Sequence, residues 1–476
     1  MLDKILVLDM DTYGSISIAR KLRSQRIYCK ILPGGASLAD VVEQDASGII
    51  WVGGAEGESK YIDERILSLD IPLLAIGSAS VALARMLGGA SHGAMLTNMT
   101  AAVSYDPQVI FEGVTPGDRW FSRAERLEIS GSIMPIASAN SCVVAFCDKE
   151  RPLYGFQFVI EKHDPDGVTL LKNFCTRICR CTPWWSTEAF IERATGELSR
   201  ISGDKPLVVA LSGGVDSTVC SALAQRAVGN RLKPIMVRTG LHRSDIEKQV
   251  DAFCRQNLGI ELIVVDAHQK VFEALKGKLD SASKSDTVRQ VFRASVLEAA
   301  GDEASEMTLV LGTNYTEVLV ADHSSHQRME FKGFKGVVEP LVELFKDEVR
   351  AVGESLGLPS GFVHMQPFTL EGLASRIEGE VTEELVETLR AADSIFREEI
   401  ETVGQDKRLQ QYFIELGRMI GDPTRHSLVL KALATGDKAG AARLPFDLLE
   451  RVVERVKNDL PCIGRVLYDL TPKPSY

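Results

Sequence analysis

The apolar run Leu-Val-Val-Ala-Leu at 207–211 passes without a break into Ser-Gly-Gly-Val-Asp-Ser at 212–217, and then into a helical stretch at 218–227. A run with no polar alternation reads as a strand buried on both faces, which places it in a largely parallel sheet covered by helices. Strand, glycine turn and helix together therefore predict an α/β layer. The same placement has a chemical meaning. Gly213 and Gly214 let the backbone approach phosphate oxygens, the N–H groups at the helix start are donors, and Ser212 and Ser217 add hydroxyls. Asp216 is an oxygen ligand of the kind that holds the magnesium accompanying a nucleotide. The loop lacks the Gly-Lys-Ser/Thr ending of a Walker sequence, so it belongs to another class of phosphate loop.

The chain has 476 residues, too many for one ordinary core, and the length suggests several domains. A net charge of −11 argues against a nucleic-acid-binding surface and leaves room for a local basic pocket. No apolar run reaches the roughly 18 residues that a membrane span needs. The charged start at 1–9 runs straight into a strand and has no signal-peptide layout. Nine scattered cysteines do not read as a disulfide framework, and the expected location is cytoplasmic. Cys175, Cys179 and Cys181 invite a metal reading, but without a second ligand cluster they read as structural thiols.

Three segments follow from the patterning. The first alternates strands at 5–8, 48–52 and 72–76 with helices near 17–22 and 81–87, and turns β-rich over 102–158. The second begins near 183, with an amphipathic helix at 187–199 and strands at 207–211, 234–237, 261–265 and 309–311. The last mixes helices at 382–399 and 444–459 with a strand at 464–469.

The hexapeptide resembles the pyrophosphate loop of the N-type ATP pyrophosphatases, which include GMP synthetase, NAD synthetase and argininosuccinate synthetase. The resemblance implies that ATP is split to AMP and pyrophosphate. The flanks are more specific. Asn-Phe at 173–174, Ile-Cys-Arg-Cys at 178–181, Leu-Val-Glu-Leu-Phe-Lys-Asp-Glu-Val-Arg at 341–350 and Ala-Arg-Leu-Pro-Phe-Asp-Leu-Leu at 442–449 are similar to GMP synthetase over nearly the whole chain. This implies a class I glutamine amidotransferase-like domain at 1–181, an adenine-nucleotide α-hydrolase-like parallel-sheet ATP pyrophosphatase domain at 182–358, and a small α+β dimerisation domain at 359–476. It also implies a homodimer.

By the same resemblance ATP is held by Ser212, Gly213, Gly214, Val215, Asp216 and Ser217, with Val237 and Thr313 beside the nucleotide and Glu317 a further candidate. Lys346 and Asp216 are the expected catalytic residues, Lys346 facing pyrophosphate as it leaves and Asp216 holding Mg2+. An amidotransferase needs a cysteine activated by histidine. Here Gly77 stands at the cysteine position and Val159 at the histidine, and only Glu161 remains. Ser78 is one position off and has no base from this motif; His163 reads as a surface residue. The domain is therefore expected to be an inactive glutaminase, with ammonia coming from solution or a separate glutaminase.

On the acceptor side the chain departs from the family. The lid reads His-Ser-Ser-His-Gln at 323–327, the family's acidic-aromatic tail is absent, and Arg238 stands where the family has aspartate. The family's proline-glycine-rich turn after the lid reads Gln-Pro-Phe-Thr-Leu-Glu-Gly at 366–372. His326, Lys335 and Lys473, with His323, Lys332 and Arg443, are the candidate contacts to a small anionic acceptor. Three readings stay open. One is adenylation of a purine-nucleotide-like acceptor followed by ammonia attack. Another is the same chemistry on a different acceptor or with a sulfur nucleophile, although Cys220 and Cys254 sit in apolar patterns. The last is a non-catalytic ATP-binding regulator.

Overall fold

A computed structural model describes residues 3–53, 62–160, 166–243, 246–318, 331–366, 368–422, 424–434 and 440–471. The chain forms two compact units, 1–190 and 191–476.

In the first unit nine strands make one sheet among the described residues: β1 (Ile5–Asp9), β2 (Cys29–Pro33), β3 (Gly48–Val52), β4 (Leu73–Ile76), β5 (Ala90–Tyr105), β6 (Gly117–Glu128), β7 (Ile133–Ala139), β8 (Cys142–Asp148) and β9 (Leu153–Phe156). Their order is β2-β1-β3-β4-β9-β8-β7-β5-β6. The first five strands in that order pair in parallel, and the rest pair antiparallel. This is the α/β half and the β-rich half read from the sequence. Ile5, Leu6, Val7 and Leu8 are all fully buried, as a strand covered on both faces requires. The helix Thr12–Ser24 makes the crossover from β1 to β2 and is capped by Asp11, whose carboxylate accepts from the Gly14 N–H at 3.3 Å. Burial holds the thiols of Cys175, Cys179 and Cys181 above their ordinary range, so they stay protonated.

In the second unit β10 (Leu207–Ala210), β11 (Leu232–Arg238), β12 (Ile263–Asp266), β13 (Thr308–Val310) and β14 (Gly336–Val338) form a parallel sheet in the order β12-β11-β10-β13-β14. The chain adds β11 and β12 to one side of β10 and then returns to place β13 on the other. The crevice at the carboxyl ends of β10 and β13 is thus a topological switch point, where open α/β sheets bind their ligands. A second sheet joins β15 (Leu409–Arg418) and β16 (His426–Ala434) antiparallel, with β17 (Ile463–Tyr468) parallel to β16. The helices Glu383–Thr402 and Phe446–Asp459 supply Leu389, Phe396, Leu448 and Val452 to a core that also takes Val208, Ile235 and Leu309 from the parallel sheet. One continuous core therefore underlies both sheets. No helix among the described residues is long and apolar enough to cross a membrane.

Candidate active site

The phosphate loop leaves β10 at the switch point. The Leu211 N–H donates to the Ile235 carbonyl at 2.7 Å, which ties the loop to β11. Gly213 has φ +80°, and a Cβ there would come within 2.5 Å of the Ile246 side chain. Only glycine meets both demands. Gly214 then opens the helix Val215–Val228 as its N-cap, with no side chain capping it. The serines organise the turn: the Ser212 N–H donates to Ser217 Oγ at 3.3 Å, the two hydroxyls lie 3.1 Å apart, and the Ser217 hydroxyl donates to the Gly214 carbonyl at 3.1 Å. From the opposite side Gly312, just beyond β13, lies against the helix start; a Cβ there would stand 2.8 Å from the Ser217 nitrogen. An uncapped helix start bordered by two glycines is a cradle for anionic oxygen.

Asp216 sits in the first turn of that helix. One of its oxygens pairs with Lys346 Nζ, and the other accepts from Asn314 Nδ2 at 3.3 Å. Lys346 is the first residue of the helix Lys346–Ser355, so the two helix starts face each other through this pair. Asn314 also donates to Glu317 Oε1 at 3.1 Å. Glu317 keeps solvent contact, yet desolvation and then the Asp216 charge raise its carboxyl to about 7. Thr313 donates to Glu339 Oε1 at 2.5 Å. Sequence reasoning missed Asn314 and Glu339. Asn314 lies inside Gly-Thr-Asn-Tyr-Thr-Glu at 312–317, where its neighbours drew the attention.

The structure thus brings Ser212, Asp216, Ser217, Thr313, Glu317 and Lys346 to one crevice. Val237 is buried in β11, and its carbonyl lies 3.3 Å from His242 Nε2. Arg238 is tied down: it pairs with Glu247 and, at 3.0 Å, with Asp266. Both carboxylates offset the charge that replaces the family's aspartate. Lys332 and Lys335 are exposed, and the Lys335 N–H bonds Met307 O at the amino-terminal edge of β13 and β14. That is the end of the sheet opposite the loop. Arg443 is exposed ahead of the helix Phe446–Asp459. His323, His326 and Lys473 lie outside the described residues. Cys220 is buried with its Sγ 3.4 Å from the Leu311 carbonyl, and burial drives its thiol well up; the Cys254 thiol is raised to about 12 by the same cause. Neither is available as a thiolate near neutral pH.

In the first unit Gly77 holds φ +67° and ψ −132° between β4 and the helix Ser78–Met86, a sharp strand-to-helix turn. Its N–H donates to the Phe156 carbonyl at 2.8 Å. A Cβ at Gly77 would meet nothing nearer than the Gly53 carbonyl, at 3.8 Å, so the space for a side chain is open. Gly53 itself has no such room, since a Cβ there would lie 2.2 Å from the Ala79 nitrogen. Val159 is pinned through its N–H to the Trp120 carbonyl at 2.9 Å. Ser78 is exposed, while Glu161 and His163 lie outside the described residues.

The NAD synthase family pattern matches residues 188–406, and that of the GMP synthase C terminal domain matches 398–476. A glutamine-hydrolyzing GMP synthase of Acetivibrio thermocellus is 36% identical over 499 residues, covering 99% of this chain and 98% of that protein. One from Clostridium perfringens is 36% identical over 509 residues, covering 100% and 99%. Among solved structures, a glutamine amidotransferase from Thermotoga maritima shares 14% identity and a TM-score of 0.31 over 38% of this chain and 99% of that one, a likeness too loose to carry weight.

Proposed function

The chain belongs to the GMP synthase family, and on that premise we propose that it adenylates a purine-nucleotide-like acceptor, xanthosine monophosphate or an analogue, and then lets ammonia displace AMP. It is an ATP-dependent ligase with an N-type ATP pyrophosphatase region. An acceptor oxygen attacks the α-phosphorus, the α–β bridge bond breaks, and pyrophosphate leaves. Ammonia then attacks the acceptor carbon, and AMP departs with the oxygen. The observation that carries this reading is the Asp216–Lys346 pair at the uncapped, glycine-bordered start of the helix Val215–Val228.

On this reading the loop from Ser212 to Ser217 holds the β- and γ-phosphates, and Lys346 exchanges Asp216 for the departing pyrophosphate. Val237 and Thr313 line the nucleoside side. Asp216 suits Mg2+, which is commonly bound by one or two carboxylates plus substrate phosphates rather than by a full protein cage. The magnesium would neutralise phosphate charge. The division into an amidotransferase-like domain at 1–181, an ATP pyrophosphatase domain at 182–358 and a dimerisation domain at 359–476 belongs to the same proposal, as does a homodimer. Among the acceptor contacts, His326 and Lys473 stand on the family resemblance alone. Lys335 has the added burden of its position at the far edge of the sheet.

The first domain, on this proposal, keeps the nucleophile turn and has lost the chemistry. Glycine at 77 offers no nucleophile and valine at 159 no base, so ammonia comes from solution or a separate glutaminase.

One assay tests the whole reading: pyrophosphate release with ATP, magnesium and ammonium, with and without xanthosine monophosphate, then with glutamine replacing ammonium. Release that needs both xanthosine monophosphate and ammonium supports the proposal. Release only with another acceptor, glutamate formed from glutamine, or binding of ATP without turnover would each defeat a named part of it.

A further inference from the structure

Asn314 is 2% exposed and stands in the stretch 312–315 that follows β13. On one side of that stretch Gly312 lies against Asp216 and Ser217, with no room for a Cβ. On the other, the Tyr315 N–H donates to the Leu344 carbonyl at 2.9 Å, just ahead of the helix that carries Lys346. The stretch is thus wedged between the phosphate loop and the lysine helix, and from it the Asn314 side chain reaches Asp216.

Both ends of the amide are engaged. Oδ1 accepts from the Thr316 N–H at 3.0 Å and from the Glu317 N–H at 3.3 Å, so Asn314 caps the helical turn that begins at Tyr315. Nδ2 donates to Asp216 Oδ1 at 3.3 Å and to Glu317 Oε1 at 3.1 Å. An amide has two acceptor sites and two donors, and here all are used. The reversed amide would set its oxygen against both carboxylates and its nitrogen against both N–H groups, so it does not fit. A cap requires the oxygen only, and serine would supply one as well. The two donors are what asparagine adds, and both go to carboxylates in the ATP crevice.

Their consequence falls on Asp216. One of its oxygens, Oδ2, faces Lys346, and the other is held by Asn314, so rotation of the carboxylate would break both bonds. When a triphosphate draws Lys346 away, the Asn314 bond remains. A carboxylate without that tether is free to follow its lysine; a tethered one stays where a metal can meet it.

We propose that Asn314 is a positioning residue for the ATP step: it holds Asp216 in place while Lys346 leaves for the phosphates, and so presents the carboxylate to Mg2+. This role rests on the ATP half of the ligase reading and on nothing about the acceptor. It reaches the phosphates through Asp216, and Asn314 itself touches neither substrate nor metal on this proposal.

The test is binding to the full chain. Affinity for a non-hydrolysable ATP analogue is measured by calorimetry in magnesium and again in EDTA, and the ratio of the two is the magnesium-dependent gain. Asn314→Ser keeps a capping oxygen and loses the bridging donors. Asn314→Gly is the second variant should serine not fold, because glycine is also tolerated at an N-cap. Each should melt near wild type, yet its magnesium-dependent gain should fall by about 10- to 100-fold, the usual effect of removing a group that orients a metal-binding carboxylate. A lowered melting temperature with an unchanged gain would make Asn314 a cap and nothing more, which overturns the role; so would a gain and a melting temperature both equal to wild type. If wild type itself shows no magnesium-dependent gain, the ATP reading of the crevice falls and the role with it. If wild type binds the analogue with magnesium but turns over no xanthosine monophosphate, the acceptor reading fails while the binding ratio still decides Asn314.

Discussion

Lys346 and Asp216 neutralise each other, each with little solvent contact: 27% and 15% of side-chain surface is exposed. A triphosphate entering the loop offers Lys346 a denser negative charge, and magnesium offers Asp216 a denser positive one, so the pair is placed to part. Lys346→Ala should therefore cut pyrophosphate release by roughly 100- to 1000-fold, the loss typical of one preorganised electrostatic donor. The melting temperature should move little, because Asp216 keeps its Asn314 bond. A large fall in stability with unchanged turnover would assign Lys346 a structural role instead. Glu317 gives a pH signature. Its carboxyl is raised from 4.5 to about 7, first by desolvation and then by Asp216. The folded state therefore holds a proton that the unfolded chain has already released, and stability falls as pH rises from about 4.5 through 7. Glu317→Gln removes this term, so it should match wild type at pH 4 and exceed it at pH 8 in urea unfolding. Parallel profiles for the two proteins would show that the carboxyl titrates normally.

At the scale of elements, the helix Val215–Val228 owes its function to its first turn, and that turn owes its shape to Gly213. Gly213→Ala places a Cβ at φ +80° and 2.5 Å from Ile246. The backbone term alone should cost about 1–3 kcal/mol in unfolding free energy, and ATP binding should weaken with it. A variant that binds ATP as wild type does would show that the loop tolerates a different path. This element was legible because its signals are local. The buried run of β10, the two glycines and the following helix sit within about twenty residues and require no knowledge of distant partners. The strand pattern of the first unit was legible for the same reason, since four apolar residues in a row need a two-sided layer. Asn314 was not legible as a bridge, because its partner Asp216 is 98 residues away in sequence. An arginine cluster was hidden in the same way. Arg243, Arg376, Asp393 and Arg397 come from three separate stretches of sequence, and only the fold puts the three guanidiniums around one carboxylate. For Lys335, an expected acceptor contact, parallel pairing sets a position at the sheet edge opposite the loop, which its local sequence does not announce.

At the scale of the molecule, the proposed loss of glutaminase chemistry turns on Gly77, which sits in a sharp strand-to-helix turn of the first unit. The Gly77 N–H bonds the Phe156 carbonyl at 2.8 Å, which ties the turn to the end of β9, three residues before Val159. Gly77 and the segment leading to Val159 are thus held together by this bond. Sequence alone showed the substitutions; that the turn keeps its left-handed residue needed the dihedrals. This makes restoration a sharper experiment than deletion. Cysteine at 77 has open space, with the nearest atom 3.8 Å from its Cβ, and its backbone at φ +67° and ψ −132° should cost about 1–3 kcal/mol. Gly77→Cys should therefore fold, give a thiol that reacts with iodoacetamide at an ordinary rate, and release no glutamate from glutamine, because no base stands at 159. Adding Val159→His should speed the alkylation at neutral pH and yield glutamate above the wild-type background, which should be nil. If wild type already releases glutamate, another residue serves as nucleophile and the first domain is active. If the folded double variant alkylates no faster than Gly77→Cys, positions 77 and 159 do not share a site, and the domain's loss of chemistry extends beyond two side chains.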